Sequence, residues 1–176
     1  MFKSQLFCVS LVLGLSLFLA STVLAGYVSI GGGGGAGGGN VSVEFGVAEK
    51  VIFGLGFTFI FGGGDVPDDT LDYSLPHDDY TYLGSKKTDG EDGVYVTLGK
   101  NVYKGLYLFG LGGVTRGEKI GLAQSNVTGR YYREWTQYTT HGMFGGGLAF
   151  GLGSKFVLEI EFDNRRGATG LIGFVW

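Results

Sequence analysis

An all-β chain closed as an eight-stranded antiparallel up-and-down barrel is the fold class this sequence predicts, on three observations. Large apolar residues recur at every second position in segment after segment. The links between those segments include short lysine-bearing turns alternating with long polar stretches. The 176 residues hold 36 Gly, 14 Phe and 10 Tyr against only 2 Pro, a supply of strand and turn formers.

The chain opens on a segment with the marks of an export signal. Lys3 precedes an apolar run from Leu6 to Leu19, and Val23-Leu24-Ala25 supplies the small-x-small pattern before Gly26. Residues 1–25 are therefore expected to be a signal peptide, and residues 26–176 one domain. Cys8 is the single cysteine and falls in the signal, which excludes a disulfide scaffold, a cysteine nucleophile and a zinc–cysteine site. A formal net charge of −3 and the lack of a basic patch with interleaved aromatics argue against nucleic acid as a partner. After Ala25 no stretch approaches ~20 apolar residues, so a membrane could be crossed only by a closed, transmembrane β-barrel.

The alternation sets strands at about 40–48, 51–62, 93–100, 105–115, 135–150, 156–163 and 169–176. In the clearest of them Phe53, Leu55, Phe57, Phe59 and Phe61 share one face, and Ile52, Gly54, Gly56 and Thr58 share the other. The large face suits lipid, and the small one suits a narrow lumen. On this parity an arginine at position 57 should disturb assembly far more than one at position 58. Bacterial single-chain barrels have even strand numbers, so an eighth strand is expected from Gly26-Tyr27-Val28-Ser29-Ile30 plus part of the glycine run 31–39. That run ends in Asn40, without the Lys-Ser or Lys-Thr of a phosphate loop. Tight turns at 48–50, 100–104 and 151–155 carry lysine, whereas 63–92 and 116–134 read as long outer loops.

The sequence ends Gly170-Leu171-Ile172-Gly173-Phe174-Val175-Trp176, with Ile172, Phe174 and Trp176 on one parity. This pattern resembles the assembly signal of bacterial outer-membrane proteins. The stretch from Gly145 to Phe150, followed by Phe156 to Asp163, looks like the last hairpins of OmpA- and OmpX-like small barrels. Most members of that class end in Phe, where this chain has Trp176. The resemblance implies residence in the cell outer membrane and recognition of the last strand by the barrel-assembly machinery. The expected partners are outer-membrane lipids and lipopolysaccharide, around a monomer.

Candidate chemistry is sparse. Glu44, Gln137, His141, Glu159 and Glu161 have lumen parity and form an expected polar cluster. Its carboxylates should pair with Arg116, Arg165 or Arg166 rather than perform acid–base work. His77, in an acidic segment, and His141 have no second histidine or cysteine nearby, so no transition-metal site is expected. A lipid A deacylase-like barrel would need a His-x-Ser pair, but Gly142 and Met143 follow His141. Neither catalytic residues nor a cofactor are expected. Asp65, Asp68, Asp69, Asp72, Asp78, Asp79, Asp89, Glu91 and Asp92 outnumber Lys86 and Lys87 in the first long loop, with spacing unlike an EF-hand, and read as a solvated surface. In the second, Arg116, Lys119, Arg130 and Arg133 suit phosphate, and Tyr131, Tyr132 and Trp135 suit an interfacial aromatic girdle. The expected function is that of a non-catalytic outer-membrane barrel with a structural or surface-interaction role, closed to general diffusion. A lipopolysaccharide-modifying barrel enzyme and a soluble periplasmic lipocalin-like carrier are the alternatives.

Overall fold

The structure, a computed structural model, describes residues 26–35, 38–72, 79–152 and 155–176. The expected signal peptide and His77 lie outside these. Eight strands follow in chain order: β1 (Gly26–Gly35), β2 (Gly38–Ala48), β3 (Val51–Phe61), β4 (Tyr80–Tyr103), β5 (Leu106–Ser125), β6 (Tyr131–Leu152), β7 (Phe156–Asp163) and β8 (Gly167–Val175). Each pairs antiparallel with its neighbour in sequence, and β8 pairs with β1 to close the barrel, as expected.

Alternation decides which side chains face in. The inward positions include Tyr27 and Ser29 on β1, Ser42 and Glu44 on β2, Ile52 and Thr58 on β3, Tyr95 and Thr97 on β4, and Glu159 and Glu161 on β7, all at most 5% exposed. Their neighbours in sequence face out. Ile30, Val41, Phe53, Phe59, Val96, Leu98, Leu108, Val114, Phe144, Phe156, Phe162 and Ile172 are exposed around the wall. A closed sheet with apolar groups outside and polar groups within is the inverse of a soluble carrier. An 11-residue strand such as β3, at ~3.3 Å per residue and a tilt of ~40°, rises roughly 28 Å, enough for an apolar band ~25 Å tall. The molecule is a transmembrane barrel of the bacterial outer-membrane kind.

The belt makes an immediate prediction. Phe57→Arg puts a charge against lipid near mid-wall and should cost about 2–4 kcal/mol. Thr136→Arg, at an exposed position far along β6, should be neutral. Urea titration of the refolded variants measures both, and equal stability would refute the lipid-facing assignment. Position 58 is a poor control, because Thr58 is packed in the lumen with its hydroxyl 2.9 Å from that of Ser42. An arginine there would overpack the interior.

Two ends of the barrel differ. At the turn end, Lys104 and Gly105 have φ values of 35° and 86°, the left-handed pair that a two-residue type I′ hairpin requires. Glu49 and Lys50 link β2 to β3 at the same end. At the other end β4, β5 and β6 outrun their neighbours. The β3–β4 ladder stops at Ile60↔Glu91 and the β6–β7 ladder at Gly145↔Asp163, but β4–β5 and β5–β6 pairing continues to Ser125 and Tyr131. Of the segments expected to be loops at 63–92 and 116–134, residues 80–92, 116–125 and 131–134 are strand. Among the described residues, 63–72, Asp79 and Asn126 to Arg130 lie outside the strands. Bulges at Lys87/Glu91 and Gly121/Leu122 break strict alternation there, which hid these strands from a period-two reading.

The glycine run is strand as well, with Gly34↔Gly39 and Gly35↔Gly38 paired. Its lack of side chains is a packing requirement. A Cβ on Gly33 would collide with the Ala168 carbonyl of β8, and one on Gly35 would sit 3.1 Å from Cα of Gly167.

Candidate functional site

The lumen is filled in layers. At the turn end Tyr27, Ile52, Phe109, Ala149 and Val157 form an apolar floor. Above it, Glu44 accepts hydrogen bonds from the Tyr27 hydroxyl and, at 2.9 Å, from Thr97. Glu159 accepts from the Ser29 hydroxyl. Next comes Arg166, whose Nη2 lies 2.7 Å from Glu161 and whose Nε lies 2.6 Å from Asp163. Its Nη1 donates to Ser42 at 3.1 Å, and the guanidinium stacks 4.2 Å from the centre of the Tyr95 ring. Nearest the end where β4, β5 and β6 run on as a ribbon, Glu91 receives Arg165 at 2.5 and 2.6 Å, Lys87 at 2.9 Å and the Thr115 hydroxyl at 2.9 Å.

The β7–β8 turn sends Arg166 inward for a local reason. Asp163 Oδ1 accepts from the backbone N–H groups of Arg165 and Arg166 at 2.8 and 2.7 Å, folding the turn back over the lumen. Gly167, at φ 74°, then restarts the strand. The Arg166 carbonyl in turn accepts from Asn40 at 3.3 Å, tying the turn to β2. The result is a buried arginine with every face occupied.

Of the expected lumen cluster, Glu44, Glu159 and Glu161 come together, each fully buried. His141 is half-buried near the ribbon end, its Nε2 3.3 Å from the Thr139 hydroxyl. Gln137 is a correction. It has lumen parity, but β6 has already left the closed wall at that height, so Gln137 pairs with Lys119 and is exposed. Of the expected cations, Arg166 pairs with Glu161 of the cluster and Arg165 with Glu91 instead, Glu44 and Glu159 have no ion-pair partner among the described residues, and Arg116 faces outward and stacks 4.0 Å from the Tyr138 ring. Sequence reasoning missed Tyr27, Ser29 and Thr97 as partners of the carboxylates and Tyr95 as the ring under Arg166, although all have the inward parity.

The expected outer interface is spread along the ribbon. Arg116 stands two residues beyond the exposed Val114, at the edge of the apolar belt. From Thr140, its ladder partner, to Tyr132 is roughly 25 Å of strand. Tyr131, Tyr132 and Arg133 therefore sit near the ribbon tip, not in one girdle with Arg116. Tyr132 is 6% exposed and Leu71 bonds to the backbone of Tyr131 and Arg133. Arg133 pairs with Asp72 at 3.1 Å and Glu118 at 3.0 Å. Lys119 and Trp135 lie between, with the Trp135 ring over Gly121, and Arg130 is exposed in the tip turn. Among the described residues, the acidic segment before β4 gathers no cluster of three carboxylates. At the far end of the barrel Ile172 and Phe174 are exposed on β8, and Trp176 lies over Gly26 with its N–H on the Gly26 carbonyl at 3.0 Å.

No protein-family model and no curated protein sequence matches the chain. Among solved structures it is similar to Ail, the attachment invasion locus protein of Yersinia pestis, at 13% identity, covering 86% of this chain and 94% of that one with a TM-score of 0.48. It is also similar to the N-terminal β-barrel domain of Pseudomonas aeruginosa OprF, at 12% identity, 86% and 97% coverage and a TM-score of 0.48. Ail in a phospholipid bilayer nanodisc gives 15% identity, 87% and 98% coverage and a TM-score of 0.45. At these scores the likeness adds no weight to the fold, which the closed eight-strand pairing establishes on its own.

Proposed function

We propose that this barrel is a non-catalytic component of the outer membrane, sealed to solutes, whose protruding β4–β5–β6 ribbon meets lipopolysaccharide and the cell exterior. The observation that carries this reading is the lumen, packed from the apolar floor at Ile52 and Phe109 to the Glu91–Arg165–Lys87 group. A barrel of eight strands is just wide enough for side chains to fill, and these side chains fill it. Arg116, exposed and stacked on Tyr138 at the belt's edge, supports this reading, since an arginine there can take a lipid phosphate. Lys119 and Arg130, exposed on the ribbon, extend that positive surface. The last strand, through Ile172, Phe174 and Trp176, is read as the segment the assembly machinery recognises, and residues 1–25 as the cleaved export signal.

Catalysis finds little support in the geometry. Thr139 and His141 are hydroxyl and imidazole within reach. Among the described residues no carboxylate hydrogen-bonds His141 to orient it, as activation of a hydroxyl nucleophile requires.

Planar-bilayer recording tests the sealed lumen. The expected result is an absence of large, steady channels from the purified protein. Sustained single-channel currents, with Arg165→Ala conducting no more than the parent, would overturn the reading.

A further inference from the structure

Three carboxylates meet at mid-lumen, Glu44 from β2 and Glu159 and Glu161 from β7. An oxygen of each lies within 4.8 Å of those of the other two. Among the described residues only Glu161 of the three has a cation at ion-pair distance, the Arg166 it shares with Asp163. Glu44 and Glu159 receive hydroxyl donors on Oε1 alone. Their Oε2 atoms are buried and have no hydrogen-bond partner among the described residues. An independent observation points the same way. Tyr95 is 1% exposed and its ring tip lies over Gly56, the residue facing Glu44 across the β2–β3 ladder. The Tyr95 hydroxyl, brought beside Glu44, makes no hydrogen bond of regular geometry among the described residues. Two unpaired carboxylates in a closed interior are strongly unfavourable.

We propose that Glu44, Glu159 and Glu161 bind a hard divalent cation, with the Tyr95 hydroxyl as a further oxygen ligand. The donor set is all oxygen, which selects calcium or magnesium over softer metals. Oxygens up to 4.8 Å apart suit calcium, whose ligands stand at ~2.4 Å; magnesium, at ~2.1 Å, would need them closer. Two positive charges cancel Glu44 and Glu159, and Arg166 continues to serve Glu161. The hydroxyls of Tyr27, Thr97 and Ser29 hold the carboxylates in place. The site depends on the closed lumen alone and stands apart from whatever the ribbon binds.

The test uses the protein extracted from membranes in detergent, freed of lipopolysaccharide and passed over chelating resin. Elemental analysis should find a single calcium per chain. The double variant Glu44→Gln with Glu159→Gln should fall to background, and Glu91→Gln, outside the site, should keep its metal. Unfolding and refolding in chelator should lower the parent's melting temperature, with calcium restoring it better than magnesium. The double variant should not respond, because its unpaired charges are gone. A parent free of metal whose melting temperature is the same in chelator and in calcium would overturn the site, leaving the carboxylates to share protons. A calcium response that survives in the double variant would overturn it equally. Should that variant fail to fold, the parent's metal content and its response to chelator decide alone.

Discussion

Deleting Phe174, Val175 and Trp176 is expected to abolish stable assembly in the membrane. These residues close the barrel: Tyr27↔Val175 and Val28↔Phe174 join β8 to β1, and Phe156↔Phe174 joins it to β7. The Val175 N–H bonds the Lys155 carbonyl at 2.8 Å and the Trp176 N–H that of Gly26 at 3.0 Å. The Phe156 and Phe174 rings meet edge to face with centroids 6.0 Å apart. At ~1 kcal/mol per net hydrogen bond, the two terminal bonds alone are worth roughly 2 kcal/mol. The loss also opens two strand edges where β1 and β8 should meet. The truncated chain should appear as periplasmic degradation products or aggregate, with no heat-modifiable band. Asp68→Asn with Asp69→Asn, both exposed, should assemble normally. Asp72 is unsuitable for that control because it pairs with Arg133. Delivery of the truncated chain to the outer membrane in heat-modifiable form would refute both the closing role and the assembly role of the strand.

Arg166→Ala is expected to cost about 3–5 kcal/mol, the loss found when one partner of a buried ion pair is removed and the other remains. Glu161 and Asp163, both buried, would keep their charges in the lumen without a guanidinium. Arg165→Ala should cost much less. Its side chain is 24% exposed, and Lys87 still reaches Glu91 at 2.9 Å. Urea unfolding in micelles, followed by tryptophan fluorescence, ranks the two variants. Equal midpoints would show that the buried network does not hold the barrel together.

Much of this molecule is legible in the amino-acid order because strand alternation is a local property. Each residue of β3 or β7 declares its face by its neighbours two positions away, so the lipid belt and the inward glutamates follow without coordinates. Strand number follows from counting, and closure from the need to remove edges. The reach of β4, β5 and β6 beyond the wall does not follow. Polar residues there alternate with nothing, and bulges shift the parity. Gln137 shows the consequence: its parity is right, but parity carries no information about height along the barrel axis.

The partners in the lumen were decided by tertiary structure alone. Arg116, Arg165 and Arg166 are equivalent as sequence, since each stands at the outer end of a strand. Their fates diverge because Asp163 folds one turn over the lumen and the glycine strand β1 leaves room for it. Arg166 is buried, Arg165 caps the plug and Arg116 faces out. Likewise Glu44 and Glu159, 115 positions apart in the chain, become neighbours only when β8 meets β1 and the wall curves shut. A face can be read from residues two apart, but a contact across a closed ring is set by the shape of the whole ring.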